Sequence, residues 1–263
     1  MGERKKYHRG RRKKKKGGII STLILIIAIA VFCVSGYQLY KIFGGYHQGK
    51  SEYDKVREVA VHGDDKDEDE FVVDFDELKK INADTVGWIR FYPEPSQISY
   101  PLVQTTDNDL YLNRTFSANE NTVGAIFVNC DNASDFSDRN TIIYGHRMRD
   151  HSMFHDLEKY KDESFWKENP YFYIYTPDGR KLTCHIYSAG IVKDTSSTYL
   201  TQFASDEEYQ AFLDDTKRAG AYHTDVEVTT DQRVVTLSTC TAASDDNRMV
   251  VRGVIESEDV VKK

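Results

Sequence analysis

Cysteine is scarce in this chain: four residues among 263, with no Cys-x-x-Cys spacing anywhere. Cys33 falls inside an apolar run, and Cys130, Cys184 and Cys240 make an odd set beyond it. That argues against both a disulfide framework and a cysteine zinc site. The simplest reading is reduced thiols, one of them used, with a Cys130–Cys184 bridge left open. Internal repeats are absent as well, which removes solenoids and propellers. Outside the N-terminus, positive charge is in deficit. The whole chain carries −7, yet its first 42 residues carry +10, so the remainder holds −17. A phosphate backbone would be repelled, and nucleic acid is not an expected partner of the larger part.

The positive charge is concentrated at the start. Ten Lys or Arg stand against Glu3 within the first sixteen residues, and residues 19–40 are then almost free of charge. A helix of that length reaches roughly 33 Å, against about 30 Å for the hydrocarbon core of a bilayer. Basic flanks stay on the cytoplasmic side. The reading is a single-pass anchor in the cell membrane, with membrane lipid as its partner, the N-terminus cytoplasmic and the bulk extracellular. Three rivals are weaker. A nucleic-acid-binding arm does not abut an apolar run. A cleaved signal peptide fits Ala28-Ile29-Ala30, but cleavage there leaves Val31-Phe32-Cys33-Val34 as a greasy new terminus. Lipidation of Cys33 is disfavoured by the bulky Phe32 before it. The expected organisation is a basic tail over 1–18, an anchor over 19–40, a linker and N-terminal helical region over 41–70, and an outer domain over 71–263. The acidic run from Asp64 to Glu70 reads as solvated.

In the outer domain the spacing of Phe75, Leu78 and Ile81 predicts a helix over 72–82, capped by Asp74 or Asp76. β-branched and aromatic runs predict strands over 87–91, 98–103, 124–128, 141–144, 233–239 and 249–255, with a short helical turn over 107–112. Residues 171–176 and 181–192 flank Pro177-Asp178-Gly179 and read as a hairpin. An amphipathic helix is expected over 206–218, with Tyr209, Phe212 and Leu213 on its apolar stripe. The fold class is mostly β with peripheral helices: a mostly antiparallel sheet or a small barrel of about eight strands.

Candidate chemistry gathers at the strand Val234-Val235-Thr236-Leu237-Ser238-Thr239, which ends in Cys240. A small, polar loop follows, and Arg248 opens the next strand, so a hairpin can return Arg248 beside Cys240. A guanidinium there favours a thiolate and can hold a carbonyl or a developing oxyanion. His146 follows another apolar strand at Gly145, where the chain can turn sharply. Histidine can give a proton to a leaving amine. A cysteine in an apolar strand is by itself usually a small buried hydrophobe, and a lone Arg an ion-pair partner. The combination carries the argument.

Thr236-Leu237-Ser238-Thr239-Cys240 with Arg248, preceded by Ile142-Ile143-Tyr144-Gly145-His146, resembles the sortase family. So do Gly87-Trp88-Ile89, the segments 98–104 and 107–112, and Gly124-Ala125-Ile126-Phe127-Val128. The resemblance runs over residues 75–255. The N-terminal helical region, the helix at 206–218 and Ser238 ahead of the cysteine resemble class B. What this implies is an eight-stranded sortase-type β-barrel behind an N-terminal transmembrane helix, acting as a Gram-positive cysteine transpeptidase of the cysteine-peptidase (hydrolase or acyltransferase) type. Cys240 would be the nucleophile, His146 the general acid and base, and Arg248 the ligand of substrate and oxyanion. Ser238 and Thr239 are candidate substrate contacts, with core packing an equal alternative for each. The implied partners are surface proteins with a sorting signal of Asn-Pro-x-Thr or related type, cut after the threonine, and a peptidoglycan precursor amine. No cofactor and no metal are implied. Three alternatives keep their place: a cysteine protease with water as acceptor, a pilus-type sortase using a lysine side chain, and a catalytically silent binding module.

Overall fold

The computed structural model describes residues 17–63, 70–242, 244 and 246–261. The tail through residue 16, the acidic run apart from Glu70, and residues 243 and 245 of the loop after Cys240 lie outside the described residues. The chain divides into two units, Met1–Gly44 and Gly45–Lys263.

Helix α1 (Gly17–Ala60) runs from the first unit into the second. In the first unit its apolar side chains are exposed, Phe32 to 77%. Among the described residues this is the one helix long and apolar enough to cross a membrane. In the second unit Tyr53, Val56 and Ala60 are buried at helical spacing. The polar stretch after residue 44, read as linker and helical region, is therefore helical as far as Ala60. Its packed end is fastened by hydrogen bonds. Tyr53 Oη donates to Gly124 O at 2.7 Å and accepts from Phe116 N at 3.2 Å. Arg57 Nη2 donates to Ser99 O at 2.8 Å.

Strands β1 (Val61–His62) and β2 (Val72–Val73) pair antiparallel. The expected helix over 72–82 is thus shortened to α2 (Phe75–Ile81), because the β-branched Val72-Val73 is claimed by β1. Asp74 is the cap, its Oδ1 accepting from Glu77 N at 2.9 Å.

Eight strands then close a barrel: β3 (Thr85–Phe91), β4 (Ser99–Val103), β5 (Ile126–Val128), β6 (Asn140–Tyr144), β7 (Tyr171–Tyr175), β8 (Arg180–Lys193), β9 (Val234–Cys240) and β10 (Asn247–Val260). Around the ring the order is β10-β8-β7-β3-β4-β5-β6-β9. Two neighbour pairs, β4–β5 and β6–β9, are parallel and the others antiparallel. Closure leaves no open edge to be protected. Between β6 and β7 the chain forms a 3-10 segment, His155–Lys161, and helix α3 (Glu163–Glu168), neither evident in the sequence pattern. Between β8 and β9 it forms a 3-10 turn, Ser197–Tyr199, and α4 (Asp206–Arg218), which has the expected bounds.

Several strands, β4 and β5 among them, are buried along their whole length, which is why they read as unbroken apolar runs. One side meets the main core, including Trp88, Leu102, Ile126 and Leu237. Opposite, α4 lays Tyr209, Phe212 and Leu213 on Tyr187, Val234 and Val254. Cys184 is fully buried and Cys130 half-buried, and all the cysteines are free. Burial raises the thiol pKa of both Cys130 and Cys184.

Replacing Tyr53 by Phe strips both hydrogen bonds while keeping the ring. The buried Gly124 carbonyl and Phe116 amide are left without that partner, and we expect a loss of about 1–3 kcal/mol. A lowered urea midpoint at unchanged slope is the measurable outcome.

Candidate active site

The site is assembled at one end of β9 by its two neighbours. Along β9, Thr236 Oγ1 donates to Asn140 Oδ1 at 2.8 Å, and Leu237 enters the core. Cys240, the last strand residue, emerges to solvent. On one side β6 runs parallel in a register that sets Tyr144 against Ser238. One further hydrogen bond, Gly145 N to Ser238 O at 3.1 Å, carries the ladder past the strand end and delivers His146. On the other side β10 runs antiparallel and places Arg248 directly opposite Cys240. Cys240, His146 and Arg248 all line one open cleft of about 230 Å³.

Gly145 is required for close approach rather than for the sharp turn expected of it. A Cβ there would lie 2.6 Å from the ring of Phe154, whose N–H donates to His146 O at 2.9 Å. His146 Nε2 lies 2.6 Å from Leu112 O. A carbonyl can only accept, so Nε2 carries a hydrogen. Arg248 Nη1 donates to Asn247 O at 3.1 Å, and Nη2 stands 3.6 Å from Asp194 Oδ2. Asp194, just past β8, is fastened by its own N–H to Asp246 O at 3.0 Å.

Ser238 and Thr239 line the same cleft, but both are almost wholly buried. The Ser238 hydroxyl is engaged with Tyr199 Oη at 2.9 Å. Thr239 Oγ1 is buried and has no hydrogen-bond partner among the described residues. Tyr199 stacks on Tyr144 at 6.2 Å between centroids, and burial is the first cause raising the pKa of both phenols, that of Tyr144 to about 12. Both therefore stay neutral and able to donate at physiological pH. Tyr144 is half-buried and forms part of the cleft wall.

Sequence reasoning missed Asn108, Tyr199 and Asp194. Asn108 reaches the cleft while its Oδ1 accepts from Cys130 N at 2.9 Å; the only signal for it was the turn at 107–112. Tyr199 and Asp194 belong to the connection after β8, where no period marks them. Among the described residues the cleft brings together one thiol and one imidazole, and the single His/Asp cluster with metal-ligand spacing lies elsewhere, at His151, His155 and Asp156.

Comparison with known proteins agrees with this architecture. The family model for the sortase domain matches residues 94–256. Sortase B of Staphylococcus aureus is 32% identical over 219 residues, covering 83% of this chain and 88% of that protein. A solved S. aureus sortase B–substrate complex superposes with a TM-score of 0.65 at 35% identity, covering 72% of this chain and 85% of that one. Sortase B from Bacillus anthracis, solved in complex with AAEK1, gives a TM-score of 0.69 at 32% identity, covering 84% of this chain and all of the other. The chain belongs to the sortase family of cysteine transpeptidases, and its relatives set it among the class B members.

The seat of His146 depends on Gly124, whose φ is +66°. A Cβ there would stand 2.7 Å from His146 Cδ2 and within 2.9 Å of two backbone carbonyls. Gly124→Ala should cost about 1–3 kcal/mol and push the imidazole out of place. A lower melting temperature together with displaced His146 ring resonances in NMR spectra is the expected result.

Proposed function

We propose that this protein is a membrane-anchored transpeptidase in which Cys240 is the nucleophile, His146 the general acid and base, and Arg248 the ligand of substrate and oxyanion. The observation that carries this reading is the register opposing Cys240 to Arg248 while the parallel β6 brings His146 to the same cleft. Cys240 Sγ attacks the carbonyl carbon of the threonine in a sorting signal. Negative charge then develops on the carbonyl oxygen, and a guanidinium across the strand pair is suited to meet it. When the peptide C–N bond breaks, the leaving nitrogen takes a proton from the His146 imidazolium, and a thioester remains on Cys240. An acceptor amine then attacks the thioester, gives its proton to His146 and releases the thiolate.

The substrate is a surface protein bearing an Asn-Pro-x-Thr or related signal, and the acceptor is a peptidoglycan precursor amine. The relative solved as a substrate complex supports the first half of that assignment. Ser238 and Thr239 contribute to the substrate wall, Ser238 through the hydroxyl pair it shares with Tyr199. Residues 19–40 anchor the chain, with the basic tail in the cytoplasm and residues 71–263 outside; the apolar, exposed helix supports this.

The test offers quenched peptides carrying Asn-Pro-x-Thr or Leu-Pro-x-Thr signals, with and without a glycine-type amine, and identifies products by mass spectrometry. We expect a thioester on Cys240 and an amine-ligated product. Cys240→Ala should abolish both and His146→Ala should nearly do so. Arg248→Ala should slow thioester formation by about 10²–10³-fold. Near-normal rates in Arg248→Ala would remove Arg248 from the mechanism, and cleavage with water as the sole acceptor would make the protein a protease.

A further inference from the structure

Two imidazoles and a carboxylate meet in the loop that leaves His146. His151, His155 and Asp156 each bring one donor atom within 4.8 Å of the others. His151 Nδ1 is 3.2 Å from Asp156 Oδ1, and the two imidazole centroids are 4.1 Å apart. Around a zinc-type ion with bonds of about 2.0–2.1 Å, tetrahedral donors stand about 3.3 Å from one another. The His151–Asp156 pair already has that separation, and the remaining donor needs to close by no more than about 1.5 Å.

The electrostatic setting suits a cation. The Asp156 side chain is only 4% exposed, so its charge is poorly screened by water. Its Oδ2 faces Lys159 Nζ at 3.0 Å, which leaves Oδ1 on the side of the histidine. His155 Nδ1 is buried and meets no partner at hydrogen-bond geometry among the described residues. The neighbouring Arg147 is held at 3.0 Å by Glu158, which blunts its repulsion of a cation. His151 is exposed, giving an ion a route in and room for water to complete its shell.

We propose that His151, His155 and Asp156 form a binding site for a divalent transition-metal ion of the zinc type. Two nitrogens and one oxygen select such ions over Mg²⁺ and Ca²⁺, which prefer shells of oxygen. The site also has a mechanical bearing on the cleft. Phe154, between two of the ligands, donates its N–H to His146 O and packs its ring on Gly145. An ion gripping residues on both sides of Phe154 braces the segment on which His146 is seated.

The test uses the full-length chain in detergent micelles, carrying Cys240→Ala so that the cleft thiol cannot take metal. Zn²⁺ is titrated calorimetrically, and Co²⁺ serves as a spectroscopic probe. We expect one Zn²⁺ per chain, a visible d–d absorption with Co²⁺, and no heat with Mg²⁺ or Ca²⁺. His151→Asn, which tolerates the φ of +65° at that position, and Asp156→Asn should each weaken Zn²⁺ binding at least about tenfold. Melting curves in chelator establish that each variant is folded. Unchanged Zn²⁺ affinity in folded His151→Asn, or no Zn²⁺ uptake at micromolar concentrations by the parent, overturns the proposal.

Discussion

The parallel ladder between β6 and β9 is the constraint on which the cleft depends. Nothing local in the sequence joins residues 140–144 to 234–238, and everything chemical stands at the end of that pairing. Slipping β9 by one residue against β6 would turn Cys240 to the opposite face and carry Arg248 with it, because side chains alternate along a strand. Slippage is opposed by a fully buried polar contact inside the ladder. Asn140 accepts from Thr236 through Oδ1 and donates through Nδ2 to Thr198 O and Leu200 O. A shift of register would leave several of these groups unpaired in the interior, at a cost of about 1–3 kcal/mol for each.

The same buried contacts reach beyond the strands. Arg252, wholly enclosed, donates to Thr198 Oγ1 at 2.6 Å and to Ser188 Oγ at 3.0 Å. Together Asn140 and Arg252 fix the 3-10 turn Ser197–Tyr199 against the barrel and thereby set Tyr199 over Ser238 and Tyr144. One wall of the cleft is thus a loop, yet it is anchored from beneath by buried hydrogen bonds.

Much of this was legible in the residues. The α4 helix has a regular apolar stripe, the β7–β8 hairpin has its turn residues, and the β9 and β10 strands flank a loop of small polar residues, so local pattern and tertiary structure coincide. The cysteine, histidine and arginine that stand out by type and by position at strand ends line one cleft. What escaped has a physical reason in each case. Val72-Val73 has helical neighbours but is recruited by β1, a pairing that tertiary contact alone decides. The 3-10 segment His155–Lys161 and the six-residue α3 are too short to show a period. Asp194 and Tyr199 act through contacts with residues more than thirty positions away, at Arg248 and Ser238, and spacing does not encode those.

Tyr53 links two features that differ in origin. It belongs to the packed end of α1, yet its hydroxyl holds the carbonyl of Gly124, the residue against which the His146 ring rests. The choice of where to trim the chain for work in solution is consequently not neutral. A soluble form beginning after Tyr53 would keep every strand of the barrel and still lack the peg beneath the imidazole, so a sluggish preparation could owe its defect to its starting residue.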